Sequence, residues 1–258
     1  MAKDTPKAPA PPAKEKEKIK GVFSTQQLMK VGTGTTLRKS IQKSYWFGKE
    51  LDDGTIEIQP LNVNYVPSGP KQIIPMDELL DKFSPEPEFY TFTVMPKMRE
   101  LEKTIARADR HRKNKETFSA EMEYGKAVRV DVENVRANFG LGLTYLERGA
   151  KDKAQDIFER LIKIEAAYEQ EHKHLFNEFG INLRKNKMSD QALEYYSKAL
   201  NLSKNDEHLY YNIARVQFDC KNIPGTVDYL KKALELNPEF EEAAKFLAFL
   251  ESKGLVKK

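Results

Sequence analysis

Hydrophobic and polar positions follow two different periods along this chain. From Gly21 to about residue 95 they alternate, or gather in short bursts between prolines and glycines, as strands do. Ser44–Leu51 (SYWFGKEL) and Thr55–Gln59 (TIEIQ) are β-forming runs on either side of Asp52-Asp53-Gly54, which predicts a hairpin. Leu61–Val66 reads as a further extended segment ended by Pro67-Ser-Gly-Pro70, and Lys71–Ile74 as a short strand. Pro75–Phe83 (PMDELLDKF) predicts a short helix, with acids near its positive end and Ser84-Pro-Glu-Pro87 as its stop. Residues 21–95 are thus expected to form a small α+β module. From Pro96 onward apolar residues recur at helical spacing, glycine becomes scarce and Leu, Ala, Glu and Lys rise.

Within that second regime four tracks of residues run in step. Small residues stand at Ala108, Gly142, Gly180 and Ala214, and at Ala120, Ala154, Ala192 and Thr226. Large apolar residues follow four places on, at Tyr124, Phe158, Tyr196 and Leu230, then Ala127, Leu161, Ala199 and Ala233. Every track steps by 34, 38 and 34 residues. The physical need is for two antiparallel helices to approach where side chains are small, with an aromatic beside the contact. One such pair cannot bury its apolar face alone, so pairs stack into a solenoid.

These residues resemble the tetratricopeptide repeat (TPR) family. The third repeat carries Phe176, Phe179, Gly180, Leu183, Ala192, Tyr196 and Ala199. The fourth carries Tyr210, Ile213, Ala214, Leu230, Ala233 and Pro238, and the second Leu141, Gly142, Tyr145, Gly149, Ala154 and Phe158. The first is degenerate, with Arg107 and His111 where apolar residues are usual. The resemblance implies a mainly α protein: a solenoid of about four helix-turn-helix repeats at roughly 101–134, 135–168, 173–206 and 207–240. Glu169–His172 are inserted between the second and third, close to one helical turn, so a lengthened helix is expected there. A capping helix is expected at about 241–253, covering the last repeat with Ala244, Phe246, Leu247, Phe249 and Leu250 and ended by Gly254.

Composition constrains the rest. Residues 1–20 hold only Met1 and Ile19 as large apolar groups among Lys, Glu, Pro and Ala, and read as a disordered tail. A formal net charge of +4 on 258 residues is mild and does not point to a dedicated nucleic-acid binder. One cysteine, Cys220, excludes a disulfide framework and suits a reducing, cytoplasmic compartment. No apolar run approaches the ~20 residues of a membrane span.

Candidate chemistry is sparse. Lys30–Ser40 (KVGTGTTLRKS) suggests a phosphate-binding loop, but the glycine a P-loop needs before its Lys-Ser is absent, so a turn in the module is expected. His172 and His174 lie two apart and cannot chelate from one helix. Cys220 reads as a small packing residue, and His111 sits among Arg110, Arg112 and Lys113 without the setting of a general base. No catalytic residue, cofactor or metal site is proposed.

The TPR resemblance implies a concave groove lined by the first helices. Its positions map to Arg136, Phe139, Gly140 and Leu143, then His174, Asn177, Glu178 and Ile181, then His208, Tyr211, Asn212 and Arg215. That set fits a protein or peptide segment, with an acidic group for Arg215 unless Arg215 pairs with Asp219 one turn on. The chaperone-tail clamp known in the family is not expected, because Ile105, Asp109, His174 and Glu178 replace its polar and cationic groups. The sequence also leaves open a nucleotide- or ligand-regulated role for the N-terminal module. A further alternative is weak nucleic-acid binding through the tail and Arg107–Lys115 (RADRHRKNK). Oligomeric state is not legible.

Overall fold

The computed structural model describes residues 18–31, 38–164, 167, 172–202 and 205–255. Two compact units divide the chain: one runs to Leu61 and includes Lys71–Val94, the other joins Asn62–Pro70 to Met95 and beyond.

The first unit is an antiparallel sheet of strands β1 (Lys20–Val31), β2 (Arg38–Glu50), β3 (Ile56–Pro60), β4 (Gln72–Ile74) and β5 (Ser84–Pro85), in the order β4-β3-β2-β1-β5. The hairpin predicted around Asp52-Asp53-Gly54 joins β2 to β3. Gly54 takes a positive φ of 82°, and the Asp53 carboxylate accepts both the backbone N–H and the hydroxyl of Thr55. Strand alternation puts Phe23, Ile56, Ile58 and Ile74 on one face, where they pack with Leu79 of helix α1 (Met76–Lys82) and with Trp46. Ile19 joins this cluster and its carbonyl accepts from Glu50, so ordered chain reaches into the stretch read as a tail. The remainder of that tail, 1–17, and residues 32–37 of the glycine-rich segment lie outside the described residues.

The segment read as extended at 61–66 is a turn. Asn62 Oδ1 accepts from the N–H groups of Asn64 and Val66, and Tyr65 takes a φ of 58°. It belongs to the second unit, where Val66 is buried in the repeat core. Its asparagines have a definite task. The last carbonyls of a helix lack partners, and Asn62 and Asn64 donate to the Val130 carbonyl at 2.9 and 2.8 Å. Ser68 donates to Asp131, the residue just beyond.

After a short helix α2 (Pro87–Phe89) and a π-helical turn (Tyr90–Val94), the helical regime begins. It pairs α3 (Met95–Lys113) with α4 (Thr117–Val130), α5 (Val135–Glu147) with α6 (Lys151–Leu161), α7 (Lys173–Lys185) with α8 (Ser189–Leu202) and α9 (Glu207–Asp219) with α10 (Ile223–Leu236). A final helix, α11, spans Glu241–Ser252. Every residue of the four tracks is buried. A Cβ at Gly180 would stand 2.5 Å from Cζ of Tyr196, and one at Gly142 would stand 2.6 Å from the Phe179 ring. Both glycines are therefore needed for close approach. Phe176 stacks on Tyr195 at 4.3 Å, and Phe139 and Phe179 meet Tyr195 edge-on. At the degenerate first repeat, Arg107 reaches the buried Glu123 carboxylate at 3.0 Å, an ion pair in place of an apolar contact.

A fifth track escaped the reading of the sequence. Lys115, Gly149, Lys187 and Lys221 end the first helix of each pair with φ between 61° and 70°. Each N–H bonds back to the third residue before it, and the next N–H to the fifth before itself, closing the same Schellman turn four times. The lengthened helix expected around 169–172 is not seen at its near side: α6 stops at Leu161 and residues 162–164 turn, while 165–166 and 168–171 are outside the described residues. On α11 Ala243 and Leu250 are buried, with Phe246 and Leu247 half-buried beside them. Ala244 and Phe249, expected inside, are exposed. Gly254 ends this helix at a φ of 66°.

The left-handed turns make a direct prediction. A side chain in that conformation costs about 1 kcal/mol, part of which glycine gives back through unfolded-state entropy. Lys187→Gly and Lys221→Gly should each raise stability by about 0.5 kcal/mol in urea melts, while Gly149→Val should lower it by more than about 1 kcal/mol. Equal effects from all three would contradict the turn geometry.

Candidate functional site

The exposed part of the predicted groove lies on α7, α9 and α11. A cleft of about 580 Å³ is lined by Lys173, His174, Asn177 and Ile181 of α7, His208, Tyr211 and Asn212 of α9, and by Phe240 and Glu242. A second, of about 440 Å³, shares Tyr211 and adds Arg184, Arg215, Phe218, Asp219, Lys245 and Phe246. Tyr211 is held between two rings, Phe240 at 5.3 Å and Phe246 at 6.4 Å. His208 meets Phe240 edge-on at 4.9 Å. The Arg215 guanidinium lies over the Tyr211 ring at 5.7 Å. Asp219, the acid one turn beyond Arg215, accepts instead from Arg184 of α7, the first helix of the preceding pair, at 2.6 Å. Asn212 is buried on the cleft floor, its amide 3.5 Å from Asn177.

Phe139 and Leu143 do not line a groove, and neither does Gly140. Both side chains are fully buried, and a Cβ at Gly140 would strike the Tyr124 ring. The cause is the surroundings of α5, which packs against α3, α4, α6 and α7 and is apolar on nearly every side. Phe139 fills the space beside Phe179 at 5.7 Å. Where an open wall was expected, the second repeat supplies core.

Charge takes over at the rim. Arg112 of α3 donates to Glu147 of α5 and Glu178 of α7, each at 2.9 Å, and borders a cleft of about 820 Å³ that also includes Arg136 and His174. Burial works against the Arg112 charge. The hydrogen bonds and charge of Glu178 outweigh it, so its pKa lies above the ordinary arginine value. Arg136 is paired with Asp109, which also accepts from the Tyr124 hydroxyl. Burial first, then the Asp109 carboxylate, pushes that phenol up. Ile105 is buried. His111 lies against Glu116, a carboxylate the sequence reading did not place there, and Cys220 is exposed at the end of α9 rather than packed.

Reading the groove only at its usual positions missed Arg112, Glu147, Arg184, Phe218, Phe240 and Phe246. Continuing the period into the last turn of each first helix reaches Glu147, Arg184 and Phe218. Phe240 is the last residue of the fourth repeat, after its second helix, and Phe246 lies beyond it on α11, which the repeat register does not cover.

Residues 136–165 and 207–240 each match a tetratricopeptide repeat family model. A relative is anaphase-promoting complex subunit 3 of Schizosaccharomyces pombe (strain 972 / ATCC 24843), 28% identical over 106 residues. The match takes in 41% of this chain, which spans 15% of the relative's length. Among solved structures, the MamA protein is 18% identical with a TM-score of 0.47, covering 60% of this chain and 83% of that one. Pseudomonas aeruginosa PilF is 18% identical with a TM-score of 0.47, covering 60% and 68%. Two of the four helix pairs thus match tetratricopeptide repeat models, which supports assigning the helical unit to that repeat family. That assignment supports a protein–protein interaction scaffold. Among the described residues, no helix is long and apolar enough to cross a membrane.

Arg112 ties three first helices together, so Arg112→Met should lower stability by about 1–2 kcal/mol by leaving two half-exposed carboxylates without their partner. Chemical denaturation followed by circular dichroism measures this. Arg112→Lys should recover only part of the loss, since a single ammonium cannot reproduce the forked contact.

Proposed function

We propose that this chain is a non-enzymatic adaptor that holds an extended segment of a partner protein across α7, α9 and α11. Tyr211 and Arg215 stand at the centre, and an acidic group of the partner meets Arg215. The observation that carries this reading is the contrast between two arginines on one wall. Arg184 is taken up by Asp219, whereas the Arg215 guanidinium rests on the Tyr211 ring at the mouth of the cleft. A guanidinium lying over an aromatic ring keeps N–H donors for a carboxylate. Ile181, Tyr211 and Phe240 supply apolar area beside it, and His174, Asn177 and His208 supply hydrogen bonds. The rigid aromatic and the arginine are the residue types that dominate binding energy at interfaces. One exposed cysteine without a partner thiol suits a reducing compartment such as the cytoplasm.

Peptides selected from a random displayed library on the immobilised full chain test this. Selected sequences should be enriched in Asp or Glu beside an apolar residue. Arg215→Glu should weaken them by at least about tenfold, or ~1.4 kcal/mol, and Ile181→Asp by a similar factor, with unchanged thermal melts. Peptides that bind both variants as well as the parent would place the binding surface elsewhere.

A further inference from the structure

The mild net charge conceals a segregated one. The connectors inside the four helix pairs (114–116, 148–150, 186–188 and 220–222) hold four Lys and Arg and one acid, Glu116. The connectors between pairs and before α11 (131–134, 162–172, 203–206 and 237–240) hold two Lys and seven Asp and Glu. Helices joined by three residues run antiparallel, so the basic connectors gather along one edge of the array. Contacts along that edge link neighbouring ends. Arg112 reaches Glu147, the Arg148 guanidinium lies over the Phe118 ring at 3.9 Å, Arg184 reaches Asp219, and Phe218 meets Phe249 at 6.4 Å. Glu116 is taken by His111 and Arg148 by Glu121. Lys115, Lys187 and Lys221 are exposed and, among the described residues, meet no carboxylate. Each occupies a left-handed turn in which glycine is less strained. Lys113 and Lys185 already complement the ends of α3 and α7 from the last helical turn, without that strain. The left-handed lysines add charge at the extreme edge. Apolar groups flank the row: Phe118, 74% exposed, at one end, and Phe249 and Leu255, 44% and 47% exposed, at the other. Lys253 lies over the Phe249 ring.

We propose that this edge docks on the surface of an anionic phospholipid bilayer, with Lys115, Lys187 and Lys221 facing the headgroups and Phe118 and Phe249 entering their boundary. Lysine is a compact point charge that needs no fixed partner geometry, and each one gains free energy near an anionic leaflet. Exposed Phe and Leu beside a row of cations have the composition of an interfacial membrane contact. Reading duplex DNA needs a helix or ribbon that enters a groove, whereas these cations stand on three-residue turns. A purely acidic protein surface gains nothing from the exposed rings.

The test is co-sedimentation of the full chain with vesicles of phosphatidylcholine and phosphatidylglycerol at about 2:1, and of phosphatidylcholine alone. The parent should bind the anionic vesicles at about 50 mM salt, and at least about tenfold more weakly at about 500 mM, where charge is screened. Neutral vesicles should bind at least about tenfold more weakly than anionic ones. The triple variant Lys115→Gly, Lys187→Gly, Lys221→Gly should weaken binding roughly 100-fold, each lysine near the surface counting about fivefold. Its melting temperature should not fall, because glycine suits all three turns, which separates lost binding from lost fold. Phe118→Ser should weaken binding about tenfold and keep the salt dependence. The control Lys163→Ser, Lys231→Ser, Lys232→Ser, away from this edge, should bind like the parent. The proposal is overturned if the parent does not bind anionic vesicles, if the glycine variant binds them like the parent, or if neutral vesicles serve as well. Equal binding to a mixed-sequence DNA duplex would assign the edge to nucleic acid and overturn it. Salt-sensitive self-association that the glycine variant abolishes would assign it to a second copy, with the same result.

Discussion

Two helix backbones can come close only where one of them carries almost no side chain, and each repeat in this chain is organised around such a place. At Gly180 the missing Cβ leaves room for the Tyr196 ring, and at Gly142 for the Phe179 ring from the next repeat. The contacts differ in kind. The first sets the spacing within a pair, and the second sets how one pair lies on the next. Interiors pack at near-crystalline density, so neither spacing can drift without opening a void or forcing a clash. The Tyr196 phenol is carried so far from water that burial raises its pKa.

That spacing propagates to the turns and the surface. A pair held at one separation needs one kind of reversal, and the same Schellman turn closes all four, with lysine accepted in a left-handed conformation at three of them. The geometry of the pair thus overrides the local preference of the residue. It also determines which faces stay open. Around α5 the neighbours close in from four elements, and the positions that elsewhere form a groove wall become core. Beyond α7 the face opens on aromatic residues, and there the added helix α11 supplies Phe246 and, just before it, Phe240.

Polar groups follow the same division. Where helices crowd, arginines are consumed by structure: Arg112 by two glutamates, Arg184 by Asp219, Arg107 by Glu123. Arg112 and Arg184 join the first helices of different repeats, and Arg107 joins the two helices of one pair. The same residue type therefore serves as a strut in one repeat and, in the function proposed above, as the recognition group Arg215 in another.

The repeating interval was determined by sequence alone, because a small residue and a large apolar one four places on are required at every helix pair and so recur at steps of 34, 38 and 34 residues. The Asp-Gly hairpin was legible too, since its turn demands particular residues. Local chemistry could not reveal that Asn62 and Asn64 cap α4, because their partner carbonyls lie more than sixty residues away. Nor could it reveal that Phe139 and Leu143 are core while Tyr211 and Arg215 are surface. All four occupy groove positions of the repeat. What separates them is the number of neighbouring helices that cover each one, a property of the stacked array and of no segment within it.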